Sequence, residues 1–256
     1  MYEHIKLSVQ DGIATITIDR PASNNALNAP MFRDLISAVE HCDADDEVKV
    51  LIVTGAGKNF SAGGDIKEMA SFDFISYDLS ILTGQASLAL RKCSKPVIAM
   101  VNGAAAGAGC GIALGADFRI MTEKSCLLTA FSNVALPGDT GCIYHLKQIV
   151  GLARTIELMA LSAPVYGEDA LRLGLATRLA PDGKLAEETH TFAAKLLRRP
   201  LGALAMQKQL YYEVFYRDYM AYSRLEAENL ARAGASADHR EAVTAFLEGR
   251  KPQFNQ

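Results

Sequence analysis

The chain has 256 residues with 50% apolar and 21% charged side chains, a composition typical of one soluble domain with a large core. A formal net charge of −3, with no block of like charge, argues against a nucleic-acid-binding protein. No apolar leader or run of roughly 18 apolar residues is present, and five scattered cysteines favour reduced thiols, so we expect a cytoplasmic protein without membrane contact, disulfides or a metal site.

The first part of the chain alternates between strand and helix patterns. The segments "HIKLSVQ" and "IATITID" flank an Asp-Gly pair and predict a β-hairpin, and "APMFRDLISAVEHCDAD" has helical spacing. The apolar run "VKVLIVTG" is typical of a strand buried on both faces. A helix near residues 73–93, the strand "KPVIAMVNG", a helix over 107–115 and the strand "DFRIMTE" follow. This order predicts a largely parallel sheet with right-handed crossovers.

The later part of the chain is predicted to be helical. Helices are expected after Asp139 and over "ARTIELMA", and every segment beyond residue 183 has helical spacing. We therefore expect an α/β core over residues 1–182, which contains the active site, and a helical C-terminal region over residues 183–256.

Two segments rich in small residues follow buried strands, "FSAGGDI" at 60–66 and "GAAAGAGCGIA" at 103–113. Neither fits a nucleotide motif, because Ile52 and Ile112 stand where a P-loop and a dinucleotide fingerprint need glycine. Without bulky side chains, their backbone N–H groups could approach a ligand oxygen and form an oxyanion hole. Tight helix–sheet packing explains the small residues equally well, and the pattern alone leaves both interpretations open.

Four motifs resemble the crotonase superfamily, the enoyl-CoA hydratase/isomerase family: "RPASNNALN", "FSAGGDIKEM", "VIAMVNGAAAGAGCGIALGADFRI" and "REAVTAFLEGRKPQF". They occur in the family's order between residues 4 and 254. The resemblance implies a crotonase (ClpP-like) ββα spiral core, an acyl-CoA thioester substrate and no cofactor beyond that coenzyme A. It also implies homotrimers, often paired into hexamers, with the C-terminal region contributing to trimerisation and to the CoA site.

The resemblance also assigns roles to particular residues. It implies that the backbone N–H groups of Ala62 and Ala108 hold the thioester oxygen. The residues implied to contact CoA are Ala26, Leu27, Ala62, Asp65 and Ile66, with Arg250 and Lys251 as candidates for its phosphates. Asp65 is also expected to cap the helix that starts with "IKEM". We expect Phe72, Phe131 and Tyr144 to line the acyl pocket, although core packing is the more frequent fate of such side chains.

The two glutamates that a hydratase of this family uses are missing. Counted without gaps, their positions hold Gly111 and Phe131, which cannot transfer a proton. Adding water to a double bond needs an acid and a base around that water. The sequence therefore argues against an efficient hydratase.

Asp139, in "ALPGDTGCIYHL", is the candidate acid/base. Its position resembles that of an aspartate in dienoyl-CoA isomerases, 4-chlorobenzoyl-CoA dehalogenases and the ring-opening phenylacetate-pathway isomerases, the last being the most similar. The dehalogenases also need a histidine where Gly84 stands. Asp139 is predicted to be a proton shuttle, and a helix N-cap role remains open and compatible with it.

We therefore expect an enoyl-CoA isomerase. The alternatives are a hydratase, thioester hydrolysis, C–C cleavage or dehalogenation on the same scaffold, or a non-catalytic CoA-ester-binding protein.

Overall fold

A computed structural model describes residues 2–71 and 75–255. Its first two strands, β1 (Ile5–Gln10) and β2 (Ile13–Ile18), form the predicted antiparallel hairpin. Asp11 and Gly12 connect them with φ angles of 50° and 78°. Two successive left-handed residues are what a tight two-residue hairpin turn requires, which explains the Asp-Gly pair.

The hairpin continues into a mainly parallel sheet. The further strands are β3 (Val50–Gly55), β4 (Val97–Val101), β5 (Ala104–Ala106), β6 (Phe118–Thr122), β7 (Cys126–Leu128), β8 (Val165–Tyr166) and β9 (Arg178–Ala180). Six strands form one sheet in the order β1-β2-β3-β4-β6-β9, and every pair after the hairpin is parallel. All six residues of β3 are buried, as its unbroken apolar run predicted.

A second sheet has the order β5-β7-β8 and was not predicted. Its strands have only two or three residues, too few to show an alternating pattern.

Helices cover both faces of the main sheet and form the C-terminal part of the chain. They are α1 (Ala29–Ala44), α2 (Ile66–Met69), α3 (Tyr77–Lys92), α4 (Ala108–Gly115), α5 (Cys142–Leu161), α6 (Gly167–Arg172), α7 (Leu185–Leu197), α8 (Leu201–Phe215), α9 (Tyr219–Gly234) and α10 (Ala237–Glu248). Short 3₁₀ turns span Pro21–Ser23 and Phe131–Val134. The two helices predicted after Asp139 form the single element α5, interrupted by non-helical backbone at Gly151.

The core lies on both sides of the sheet. On one side, residues of α1, α3 and α4 pack with β2, β3 and β4 in the larger apolar cluster. On the other side, α7 covers the sheet through Ala193 and Phe192. The C-terminal helix α9 packs against α3 on the larger side. Among the described residues, no helix is long and apolar enough to cross a membrane.

Candidate active site

The loops after β3 and β4 lie side by side at the carboxyl edge of the sheet. Ser61 N–H donates to Ala104 O at 3.1 Å, and Ala106 N–H donates to Ser61 O at 2.9 Å. Gly63 has a φ of 96°, and a Cβ atom there would lie 2.8 Å from Ala106 O. Only glycine allows this approach, so the small residues of the two segments bring their backbones together.

Asn25 fixes the first of these loops from within the protein. Its side chain is fully buried, and its Nδ2 atom donates to Ala56 O at 2.9 Å and to Asn59 O at 2.7 Å. Its Oδ1 atom accepts from Arg20 N–H at 3.0 Å, and its backbone carbonyl accepts from Ser61 Oγ at 2.8 Å. These bonds tie "RPASNN" to "FSAGGD", which explains why the two motifs occur together.

The backbone donors differ from those expected at one position. Ala62 N–H donates to Asn24 O at 2.9 Å, so Ala62 is not available as an oxyanion donor. Gly64 N–H and Ala108 N–H have no acceptor in the described part of the protein. Ala108 is the first residue of α4, where helix geometry leaves the N–H group unpaired and the helix dipole adds positive potential. Gly64 therefore replaces Ala62 as the candidate partner of Ala108.

A cavity opens beside these loops; its empty space, counted together with the open solvent at its mouth, is about 480 Å³. Its lining residues are Leu27, Asn28, Ala29, Phe32, Gly64, Asp65, Glu68, Met69, Ile75, Leu79, Thr83, Leu136, Asp139 and Leu230. The wall is mainly apolar and includes Leu230 of α9, from beyond the predicted boundary at residue 182. The cavity therefore brings a candidate oxyanion donor, Gly64, to the same space as the candidate acid, Asp139.

Asp139 is the buried carboxyl group of this cavity. Its side chain is 6% exposed, and Thr140 Oγ1 donates to its Oδ1 atom at 3.0 Å. No lysine or arginine of the described residues forms an ion pair with it. Burial raises the pKa of Asp139 to about 7, against the opposing effect of the Thr140 hydrogen bond. The group can therefore exist in either protonation state near neutral pH.

The N-cap role of Asp139 is wrong. Helix α5 begins at Cys142, its N-cap is Gly141, and no side chain accepts a hydrogen bond from its first turn. Gly138, Thr140 and Gly141 have positive φ angles of 135°, 53° and 67°, so the chain turns sharply around Asp139. The glycines thus serve to direct a carboxyl group into the cavity rather than onto the helix.

The first of the two hydratase positions has no room for a glutamate, and the second holds a buried phenylalanine. A Cβ atom at Gly111 would lie 1.8 Å from Thr140 Oγ1 and 2.6 Å from Thr140 Cβ. Phe131 is 3% exposed and packs near Gly107, and it does not line the cavity formed by the described residues. The side chain beside Asp139 therefore fills the space in which the first glutamate would begin.

Two of the predicted pocket residues are elsewhere, and the third cannot be placed. Contrary to expectation, Tyr144 does not line the cavity; its hydroxyl lies within hydrogen-bond distance of Asp218 Oδ1, at 2.5 Å, and of Phe215 O, at 2.7 Å. It packs in a buried aromatic cluster with Tyr216, Tyr219 and Tyr222. Phe131 fills the core near Gly107, because the turn that follows Thr129 directs it inward. The prediction for Phe72 lies outside the described residues.

His145 has a structural environment. It is fully buried, with Nε2 at 3.1 Å from Ser87 Oγ and Nδ1 at 3.2 Å from Tyr216 Oη. Burial and nearby Arg91 hold the pKa of its imidazole well below the ordinary value, so the ring is neutral. It connects α3, α5 and the segment before α9, and it does not line the cavity.

The residues expected near CoA fall into two groups. Asp65 caps α2 as predicted, accepting from Lys67 N–H and Glu68 N–H, and it forms an ion pair with Arg20 at 3.0 Å. Leu27 and Asp65 line the cavity, while Ala26 is buried and accepts from Arg20 Nη1 through its carbonyl. Ile66, the first residue of α2, is half-buried.

Arg250 lies on the surface and is already paired. Its guanidinium contacts Glu241 at 2.5 Å and Glu248 at 2.6 Å, which lowers the pKa of Glu241 to about 2. Lys251, the other predicted phosphate ligand, is exposed.

Sequence reasoning missed Glu226, a second buried carboxyl group next to Asp139. It is 7% exposed on α9, and its Oε2 atom accepts from Gly141 N–H at 3.0 Å. Its Oε1 atom accepts from Tyr222 Oη at 2.6 Å. Burial raises the pKa of Glu226 to about 7. The surrounding "SRLEAENL" is typical of a solvated helix and gives no signal of burial.

Among residues 2–71 and 75–255, no group of three or more His, Cys, Asp or Glu side chains could hold a metal ion.

Comparison with known proteins decides the family. Residues 8–256 match the family model described as enoyl-CoA hydratase/isomerase. The chain belongs to the enoyl-CoA hydratase/isomerase family. The resemblance found in the four motifs is thereby confirmed over nearly the whole length.

Relatives of this chain are named for both activities in the family name, hydratase and isomerase. A "probable enoyl-CoA hydratase" of Rhodobacter capsulatus is 35% identical over 99% of this chain and 98% of its own. The "1,2-epoxyphenylacetyl-CoA isomerase" of Escherichia coli is 32% identical over 99% of both chains. A crystal structure of an enoyl-CoA hydratase from Mycobacterium avium subsp. paratuberculosis covers 100% of both chains, with a TM-score of 0.91 and 28% identity. The predicted crotonase fold is confirmed, and the chain is an enzyme of this family, which acts on acyl-CoA thioesters.

Proposed function

We propose that this family member is an enoyl-CoA isomerase that moves a double bond into conjugation with the thioester. The proposal rests on which acidic side chains are present. Asp139 is buried in the cavity with a pKa near 7, while Gly111 and Phe131 occupy the positions where a hydratase is expected to have glutamates. A carboxyl group with that pKa can both accept and return a proton at neutral pH.

The thioester oxygen binds to the backbone N–H groups of Gly64 and Ala108. Both donors lack a protein acceptor within the described residues, and their loops are in contact through Gly63. Negative charge develops on that oxygen when a proton leaves the adjacent carbon. Fixed donors stabilise this charge, and each is worth on the order of a hundredfold in rate in well-studied hydrolases.

Asp139 carries the proton. In its ionised form it removes a proton from C2 of a 3-enoyl thioester, giving a dienolate whose oxygen is held by the two N–H groups. The protonated carboxyl group then donates to C4, the double bond ends between C2 and C3, and Asp139 is ionised again. No water is consumed, so one acid/base group is sufficient for this reaction.

The other carboxylates of the cavity are less suited to this role. Asp65 is held by Arg20 and by two N–H groups of α2. Glu68 is half-exposed in α2 and accepts no side-chain hydrogen bond among the described residues. Asp139 alone combines burial with an apolar surrounding.

The CoA portion is proposed to bind along Ala26, Leu27, Asp65 and Ile66. Leu27 and Asp65 line the cavity, and Ala26 and Ile66 are their neighbours in sequence. Replacing Lys251 with Gln should raise the KM for acyl-CoA if this side chain meets a CoA phosphate, and an unchanged KM would exclude it. Arg250 can take part only by leaving Glu241 and Glu248.

The proposed quaternary structure is a homotrimer or a dimer of trimers. Apolar side chains on α8 and α5 are more than half exposed in the single chain: Leu152, Ile156, Met206, Leu210 and Val214. Patches of this kind mark protein interfaces. Sedimentation analysis should give a trimer or hexamer, and a stable monomer would contradict this part of the proposal.

The reaction is tested with purified protein and 3-enoyl-CoA substrates, following the absorbance of the conjugated thioester. Asp139→Asn should lower kcat by roughly a hundredfold or more with little change in KM. Asp46→Asn, at an exposed aspartate, is the matched control and should retain the wild-type rate. Rapid hydration of a 2-enoyl-CoA, without isomerisation of any 3-enoyl-CoA, would show that the enzyme is a hydratase. Full activity of Asp139→Asn would exclude Asp139 as the acid/base.

A further inference from the structure

We propose that Glu226 is a positioning residue that fixes the turn carrying Asp139 and forms with it a buried carboxyl pair, in which the charge of one group favours a proton on the other. This inference concerns the same site as the proposed isomerase and deepens it. Its structural part does not depend on which reaction the enzyme catalyses.

The first support is the hydrogen bond between Glu226 Oε2 and Gly141 N–H, 3.0 Å long and fully buried. Gly141 lies two residues after Asp139 and has a φ of 67°. As the N-cap of α5 it receives no side-chain capping, so a group 85 residues away in sequence holds this part of the turn. Losing such a bond leaves a buried N–H group unpaired and frees the turn to move.

The second support is charge. The two carboxyl groups are both buried, and no described lysine or arginine forms an ion pair with either of them. Glu226 holds two hydrogen bonds that favour its ionised form, from Gly141 N–H and Tyr222 Oη, whereas Asp139 accepts only one from a side chain. Burial raises the pKa of Glu226, and the charge of Asp139 raises it further, so the two groups resist being ionised at the same time.

The remaining titratable groups around this pair leave its coupling unchanged. They are Cys110 on α4, Cys142 on α5, Tyr219 and Tyr222 on α9, and Asp65 and Glu68, which line the same cavity as Asp139. Burial, and for Cys142 the contact with Cys110, raises the pKa values of Cys142, Tyr219 and Tyr222, which are therefore neutral. Asp65 is balanced by Arg20.

Glu226→Gln separates the two parts of the proposal. Glutamine keeps an acceptor for Gly141 N–H and can donate to Tyr222 Oη, so the turn is retained while the charge is lost. Without that charge, the protonated form of Asp139 loses stability, and the titration of Asp139 should move to lower pH by about one pH unit or more. Glu226 does not line the cavity, so the KM for an acyl-CoA should be unchanged.

The decisive measurement is the infrared carboxylic C=O band of the full-length protein as a function of pH, which needs no substrate. The double variant Asp139→Asn, Glu226→Gln gives the band without either carboxyl group, and subtracting it from the band of Glu226→Gln leaves the part that belongs to Asp139. In Glu226→Gln this part should vanish at a pH about one unit lower than in wild type. Glu228→Gln is the matched control, because Glu228 is exposed on the same helix, and it should leave the titration unchanged.

Tyr222→Phe provides an independent variant if Glu226→Gln does not fold. It removes the hydrogen bond to Glu226 Oε1, so Glu226 is protonated more readily and Asp139 should again titrate at lower pH, by a smaller amount. An unchanged Asp139 titration in both folded variants would overturn the proposal. If isomerase activity is absent but the infrared shift is present, the proposed function fails while the role of Glu226 stands.

Discussion

Asp139 should destabilise the folded protein at neutral pH, and removing its charge should reverse this effect. Folding raises the pKa of Asp139 from its ordinary value of 3.8 to about 7, so the folded state binds the proton more tightly than the unfolded state. The free energy of unfolding therefore falls as pH rises from about 4 to 7 and is lowest above the folded-state pKa. At 1.36 kcal/mol for each pKa unit, the full effect is on the order of 4 kcal/mol.

The assay compares urea unfolding of wild type and Asp139→Asn at pH 5 and pH 8, at equal protein concentration. Between these values the wild type should lose about 3 kcal/mol through Asp139, and the asparagine variant should lose correspondingly less. Because the charge of Asp139 also raises the pKa of Glu226, the difference between the two proteins includes the change that the substitution causes in the titration of Glu226. Asp46→Asn should follow wild type. Parallel curves for wild type and Asp139→Asn would show that Asp139 is ionised at ordinary pH, which would also remove the basis for its role as a proton shuttle.

Three further substitutions test the site geometry. Gly111→Ala should destabilise the protein by about 1–3 kcal/mol in thermal unfolding, because the new Cβ atom overlaps Thr140. Adding Thr140→Gly to this variant should restore most of the lost stability. If the single and the double variant are equally stable, the overlap is contradicted. Asn25→Ala should lower the free energy of unfolding by about 2–4 kcal/mol in chemical denaturation, and should lower kcat, because its buried partners lose their hydrogen bonds. A stable, fully active variant would show that Asn25 does not fix the loop. Tyr144→Phe should lower the free energy of unfolding by about 1 kcal/mol through the lost hydrogen bond, and should leave the KM for acyl-CoA unchanged because Tyr144 lies outside the cavity. A raised KM would indicate that Tyr144 contacts the substrate.

Much of the fold was predictable because it depends on local patterns. The hairpin, the buried strand β3 and the helix α1 each follow from the periodicity or turn chemistry of a short segment. The two-residue and three-residue strands of the second sheet have no such pattern, because their pairing is decided by the positions of the larger elements.

The site was predictable only where neighbours in sequence determine it. Asp139 is a candidate because of its glycine-flanked position together with the family resemblance, but the partner of each backbone donor depends on a distant chain segment. Ala62 and Gly64 look equivalent in sequence, and the carbonyl of Asn24 distinguishes them. Glu226 reaches Gly141 across 85 residues, a contact that no local pattern contains.

The contact between Gly111 and Thr140 also restricts how a second acid could be introduced beside Asp139. A glutamate introduced at 111 collides with the threonine, so that step alone gives a poorly folded protein. A smaller residue introduced first at 140 removes a hydrogen bond from Asp139 before any second acid exists. Either substitution alone therefore disturbs the site. Laboratory evolution of hydration from this scaffold should recover substitutions at 111 and 140 together.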